Sequence, residues 1–145
     1  MARIVTRAGN GWLYPIASAL LLLSFHSAAR CIAAALTSVA VAFTVYPSLK
    51  RTIARKRPCQ RDALLADELA PLDRHSFPSG HAMTAAAFGV PILFAAPAAA
   101  APIVIAGWAT MCWSRIALGH PYLSDIIGGT IRGGSIVPAV ATLFF

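Results

Sequence analysis

Charge is scarce in this chain. Only 12% of its 145 residues are Asp, Glu, Lys or Arg, against about a quarter in an ordinary soluble domain. Acidic residues are the scarcest, five in all. A soluble domain of this size needs more polar surface to cover its core, so the composition argues against a soluble enzyme, a disordered tail or a nucleic-acid module. Cysteine is also sparse. Cys31, Cys59 and Cys112 are odd in number and widely spaced, which fits neither a disulfide framework nor a metal-ligand pattern. Internal repeats and Gly/Ser linkers are missing, so residues 1–145 read as one domain. What is abundant is apolar side chain, 58% of the total. The solvent of such a chain is lipid.

The net charge of +7 is unevenly placed: of twelve basic and five acidic residues, eleven lie between Lys50 and Arg74, and none lies between His75 and Ser114. Basic residues crowded beside apolar runs suit a membrane-flanking loop or an anion site better than a nucleic-acid groove. Residues 8–29 and 31–49 carry no formal charge, and each can cross a bilayer core that needs about 20 helical residues. The first run also has the layout of a signal peptide, with Arg3 and Arg7 ahead of it and small residues near Ser27-Ala28-Ala29. A retained span is preferred because another apolar segment follows at once. The stretch from His75 to Ser114 is too long for one span, and Pro97-Ala-Ala-Ala-Ala-Pro102 reads as a turn inside it, giving spans at 82–96 and 102–118. A last span runs from Asp125 to Phe145 and carries Gly129-x-x-x-Gly133, spacing that allows close helix approach. The expectation is an all-α membrane bundle of about five transmembrane helices. Arg132 within the last span reads as a snorkelling or structural residue, seven positions from Asp125.

This topology returns three polar clusters to one membrane face. The first runs from Lys50 to Pro58, where Lys50 and Arg57 are two helical turns apart and are expected on one helix face as a phosphate clamp. The second is Pro78-Ser79-Gly80-His81 before an apolar helix: Ser79 can cap it, Gly80 exposes backbone N–H groups to an anion, and His81 can donate a proton. The third holds Ser114, Arg115, His120 and Asp125, a guanidinium plus a histidine that a carboxylate can orient as a nucleophile. Taken singly, a basic juxtamembrane run is a common topology signal and a capped helix is commonplace. His75 reads as a solvated loop residue, His26 as an interface contact, and Asp62 to Leu69 as a loop or surface helix.

In order and spacing the clusters resemble the three signature motifs of the type-2 phosphatidic acid phosphatase superfamily, which is related to vanadium haloperoxidases and bacterial acid phosphatases. Lys50 with Arg57-Pro58 matches its first motif, and Pro78-Ser79-Gly80-His81 its second. Ser114, Arg115 and Asp125 match its third. In one departure, Pro121 occupies the position of the motif histidine and His120 stands one residue early. The resemblance implies a lipid phosphatase acting through a phosphohistidine. Lys50, Arg57, Ser79, Gly80 and Arg115 would hold the phosphoryl group, His120 would attack phosphorus, Asp125 would orient it and His81 would protonate the leaving oxygen. For His120 to serve, the extended backbone before Pro121 would have to swing its ring into place.

No cofactor is implied. Asp125 is the single carboxylate in the three clusters, too few for a magnesium or two-metal site. The implied substrate is a polyprenyl or glycerolipid phosphate or diphosphate, in contact with membrane lipids and no nucleic acid. Leaving out Lys50, Arg57 and Arg115, the site face holds seven basic residues and the opposite loops only Arg30. The positive-inside rule therefore places the site on the cytoplasmic side of a multi-pass protein of the bacterial inner membrane. The family commonly has six spans, so self-association is one way a five-span chain could compensate. The alternative is a catalytically inactive relative that binds lipid phosphates.

Overall fold

A computed structural model of the chain describes residues 1–9, 11–24, 29–61, 73–95 and 98–145. Among these, α1 (Ala2–Ala8), α2 (Leu13–Ser24), α3 (Ala29–Ile53), α4 (Pro58–Arg61), α5 (Gly80–Ala95), α6 (Ala101–Ala117) and α7 (Leu123–Ala141) account for the regular structure, with no strand. The expected all-α bundle is present. α5 is its axis and packs against α3, α6 and α7. Its sequence explains why. Ala82, Met83, Thr84, Ala86, Ala87, Phe88, Gly89, Pro91 and Ile92 are all buried, so the helix is covered around nearly its whole circumference.

α7 reaches α5 through the expected small-residue pair. A Cβ on Gly129 would collide with the Ser79 carbonyl, and one on Gly133 with the Met83 carbonyl, so both positions need glycine for the two backbones to touch. The Gly-x-x-x-Gly spacing is thus used within one chain. Outward, Leu20, Leu23, Phe94, Ile103, Ile105, Trp113, Ile127, Ile131 and Leu143 are exposed. This apolar girth is the pattern of a bundle that faces lipid.

Helix lengths sharpen the span count. At 1.5 Å per residue, the 25 residues of α3 rise about 38 Å, and the 16, 17 and 19 residues of α5, α6 and α7 rise about 24 to 29 Å. Only the helix beginning at Ala29 is, among the described residues, long and apolar enough by itself to cross a membrane. The predicted first span at 8–29 is corrected at its start: the chain breaks at Gly11, whose φ of 128° is open only to glycine, and α2 begins at Leu13 and is described as far as Ser24. The turn between α5 and α6 is where the Pro-Ala-Pro pattern put it: a 3₁₀ turn covers Ala98–Ala100 and Pro102 sits in the first turn of α6. His26 and Asp62 to Leu69 lie outside the described residues. Arg132 is exposed, as a snorkelling residue would be.

Candidate active site

The first cluster does not form the continuous helical face that its spacing suggests. α3 runs through Pro47 but stops at Ile53; Ala54 turns left-handed with φ of 50°, and Pro58 opens the separate α4. Lys50 therefore sits on the last turn of α3 and Arg57 on an irregular connection. Both are nonetheless buried, and they are brought together by a third residue, Asp73. Lys50 Nζ donates to both Asp73 carboxylate oxygens at 2.8 Å and to the His75 carbonyl at 3.1 Å. Arg57 Nη2 donates to Asp73 Oδ1 at 2.8 Å, and its Nε to the Asp73 carbonyl at 3.0 Å.

The second cluster begins α5. The Ser79 carbonyl accepts the Met83 amide at 2.9 Å, and the Ala82 amide reaches Ser79 Oγ at a long 3.5 Å, a weak cap. Gly80 faces only the Tyr46 ring, at 3.7 Å from where a Cβ would be. His81, on the first turn, makes a hydrogen bond with the Thr6 backbone. Thr6 is itself buried, and its hydroxyl lies 3.2 Å from that of Ser114 in the third cluster. The amino-terminal helix α1 is thus docked on two of the three motifs.

The third cluster leaves α6 through a Schellman turn. Gly119 has φ of 62°, its amide donates to the Ile116 carbonyl at 2.9 Å, and the His120 amide donates to the Arg115 carbonyl at 3.3 Å. The His120 carbonyl then accepts Arg57 Nη1 at 3.0 Å. His120 is held through both its backbone groups, and its side chain is buried at 1% exposure. Asp125 opens α7 and is fully buried. Its Oδ2 accepts the Tyr122 amide at 2.8 Å and its Oδ1 accepts Arg55 Nη1 at 2.7 Å. The Ser79 amide donates to the Asp125 carbonyl at 2.9 Å, which ties the second motif to the third.

All three clusters meet in one cavity. Lys50, Arg57, Asp73, Ser79, Gly80, His81, Arg115 and Pro121 line it, with Gly9, Tyr46 and Thr84 at its edges. Seven of the residues expected in the site therefore come together: five phosphate ligands and His81 line the cavity, and Asp125 lies behind them. Pro121, rather than His120, forms the wall at the third motif. Arg115 is buried at 5% exposure, and its Nε has no hydrogen-bond partner among the described residues. A buried guanidinium nitrogen without an acceptor, facing a cavity with two more cations, suits an oxyanion ligand. Burial alone would raise the Asp73 pKa. The hydrogen bond from Lys50 and the charges of Lys50 and Arg57 outweigh that and hold the carboxyl below its ordinary value.

Sequence reasoning missed Asp73, Arg55, Thr6 and Gly9. Asp73, from outside the three clusters, adds a second carboxylate to Asp125, and both are matched by cations. Arg55 and Asp73 belong to the charge-dense loop, which marked the region without distinguishing its members. Nothing in the local sequence ties Thr6 or Gly9 to His81, more than seventy residues away.

The result is an all-α bundle with one polar cavity at which all three clusters meet. The family model of the PAP2 superfamily matches residues 28–145, and the chain belongs to that superfamily. α1 and α2 lie ahead of the matched region. Among solved structures, the chain is similar to the first transmembrane PAP2-type phosphatidylglycerolphosphate phosphatase from Bacillus subtilis, with a TM-score of 0.73 and 22% identity over 98% of this chain and 74% of that one. No curated protein sequence matches.

Proposed function

We propose that this protein is a lipid phosphatase of the bacterial inner membrane. It hydrolyses the phosphomonoester or diphosphate terminus of a polyprenyl or glycerolipid without a metal ion. The observation that carries this reading is the convergence of Lys50, Arg57, Ser79, Gly80 and the incompletely bonded Arg115 on one cavity. Such an arrangement neutralises phosphoryl oxygens most strongly as charge develops on them, the effect on which phosphoryl transfer chiefly depends. A lipid substrate is favoured by the neighbouring groove. One turn further along α5 from His81 and Thr84, Ala85, Phe88 and Gly89 face an apolar trough completed by Tyr14, Leu20, Val104 and Trp108. A headgroup in the cavity leaves its tail beside that trough.

In the catalytic reading, His120 attacks phosphorus to form a phosphohistidine and the lipid oxygen departs with a proton from His81. Water then hydrolyses the phosphoenzyme to inorganic phosphate. Asp125 anchors the turn that carries His120. A second reading, binding of lipid phosphates without turnover, is favoured by Pro121 forming the cavity wall while Arg57 and Arg115 hold the His120 backbone. Phosphate release from a panel of lipid phosphates, by purified wild type, His120→Ala and His81→Ala, separates the two. Turnover that His120→Ala abolishes, with an acid-labile phosphoenzyme trapped in wild type, supports the first reading. Turnover that survives His120→Ala removes the nucleophile assignment. Binding without turnover on any lipid supports the second.

A further inference from the structure

Thr6 is fastened through both its hydroxyl and its backbone. The hydroxyl lies 3.2 Å from Ser114 Oγ, and Ser114 already donates to the Met111 carbonyl at 2.8 Å, so Thr6 is the donor of that pair. The backbone of Thr6 bonds the ring of His81. Thr6 stands in the last turn of α1, where carbonyls run out of helical N–H donors, so its carbonyl accepts and a ring N–H donates. The residue is buried, and it lies ahead of the residues that match the family model. Gly9 makes the close approach possible. Its backbone is ordinary, with φ of −67°, but a Cβ there would collide with the Met111 side chain and lie 3.1 Å from His81 Cδ2.

We propose that Thr6 is a positioning residue for proton transfer: its hydroxyl docks α1 on Ser114, and its carbonyl fixes which nitrogen of His81 serves the phosphate. The inference rests on the catalytic reading above, in which His81 protonates the departing oxygen. An imidazole has two nitrogens, and the hydrogen bond made by one decides the state of the other. His81 lines the cavity, and with one N–H committed to Thr6 the second nitrogen is the one left for the substrate. As the P–O bond to the lipid breaks, that second nitrogen gives its proton to the lipid oxygen and keeps the electron pair. The neutral ring then holds its remaining hydrogen on the Thr6 side. Its lone pair is placed to take a proton from the water that cleaves the phosphohistidine. Without the carbonyl the ring can rotate, or carry its hydrogen on the wrong nitrogen, and both steps lose their proton carrier. A backbone carbonyl thus does for His81 what a carboxylate does for the histidine of a catalytic triad.

The test compares two esters on full-length protein in detergent: hexyl phosphate, whose alkoxide must be protonated to leave, and 4-nitrophenyl phosphate, whose phenolate leaves unaided. The readout is kcat/KM, which covers only the steps up to departure of the alcohol or phenol. Thr6→Leu adds bulk at a buried contact and pushes α1 off Ser114. It should lower kcat/KM for hexyl phosphate by about 10- to 100-fold, part of what a positioned general acid contributes, and for the aryl ester by less than about threefold. Thr6→Ser keeps both the hydroxyl and the carbonyl and should retain wild-type rates on both esters. Gly9→Leu displaces the same helix at its other contact, should repeat the pattern, and replaces Thr6→Leu if that variant folds poorly. In a His81→Ala background, Thr6→Leu should add less than about threefold, because the two act through one group. Equal losses on both esters, a full loss that persists without His81, or no loss in either leucine variant overturns the proposal and leaves His81 standing as the acid. Wild type that turns over neither ester, or hexyl phosphate turnover indifferent to His81→Ala, overturns the catalytic reading and the proposal with it.

Discussion

Arg55 Nη1 lies 2.7 Å from Asp125 Oδ1, so a residue that belongs to no motif supplies the counter-charge of the carboxylate that closes the third one. The same guanidinium donates to Ser124 Oγ at 2.7 Å and stacks 4.2 Å from the centre of the Tyr122 ring. Asp125 is fully buried, and removing its cation leaves a desolvated charge with the Tyr122 amide as its remaining donor of those described above.

Arg55→Ala is therefore expected to destabilise the protein by about 1–3 kcal/mol, the range for orphaning a buried polar group, tempered because Arg55 itself is partly exposed. Thermal unfolding in detergent reads this directly. Arg55→Lys should recover only part of the loss, since a lysine ammonium does not stack on the Tyr122 ring as the planar guanidinium does. Full recovery by lysine would show that charge alone matters at this position.

The α5–α7 contact predicts a contrast between adjacent glycines. Gly133 lies against the Met83 carbonyl and Ala86, whereas a Cβ on Gly134 would meet nothing closer than Val90 Cγ2 at 4.0 Å. Gly133→Ala should cost about 1–3 kcal/mol, because backbone atoms cannot rotate out of the way as a side chain can. Gly134→Ala should be neutral or slightly stabilising. Equal melting temperatures for the two variants would contradict a close α5–α7 approach.

These cases mark where local sequence stops being informative. The runs that became α3, α5, α6 and α7 were legible because apolar length and proline punctuation are local properties. Ser79, Gly80 and Asp125 were legible because they follow at fixed spacing around helix starts. The paired face expected for Lys50 and Arg57 was not formed, because the backbone leaves the helix at Ala54 and the two side chains meet through Asp73 instead. The effect of the shifted histidine was beyond local reading for a similar reason. Gly119 announces a helix end, but Pro121 forms the cavity wall in a turn where Arg57, 63 residues earlier, clamps the His120 carbonyl. Long-range tethers of this sort decide which side of a turn faces the site.

The Asp73 pairs carry a pH signature. Burial would raise its pKa, but the hydrogen bond and charge of Lys50 and the charge of Arg57 leave it lower than the ordinary 3.8. A carboxyl depressed on folding adds stability that is present above its unfolded value and is lost as pH falls through its lower folded value. Wild type should thus exceed Asp73→Asn in melting temperature at neutral pH, and the gap should close below about pH 4. Melting curves between pH 3 and 7 check this. A gap that stays constant to pH 3 would mean that the carboxylate charge is not what stabilises the loop.

Orientation can be read with native cysteine chemistry. Cys31 and Cys112 are buried, while Cys59, in α4 beside Arg57, is partly accessible, so a thiol reagent should report on Cys59 alone. Positive charge favours a cytoplasmic site face: beyond the proposed ligands it gathers Arg3, Arg7, Arg51, Arg55, Lys56, Arg61 and Arg74, with only Arg30, in the first turn of α3, at the opposite end. A membrane-impermeant maleimide should therefore label inverted membrane vesicles and spare intact cells, and Cys59→Ser should abolish the signal. Labelling of intact cells would turn the bundle over. The cavity would then open outward, to lipid phosphates exposed on the outer leaflet, and the basic loop would owe its charge to ligand binding rather than to topology.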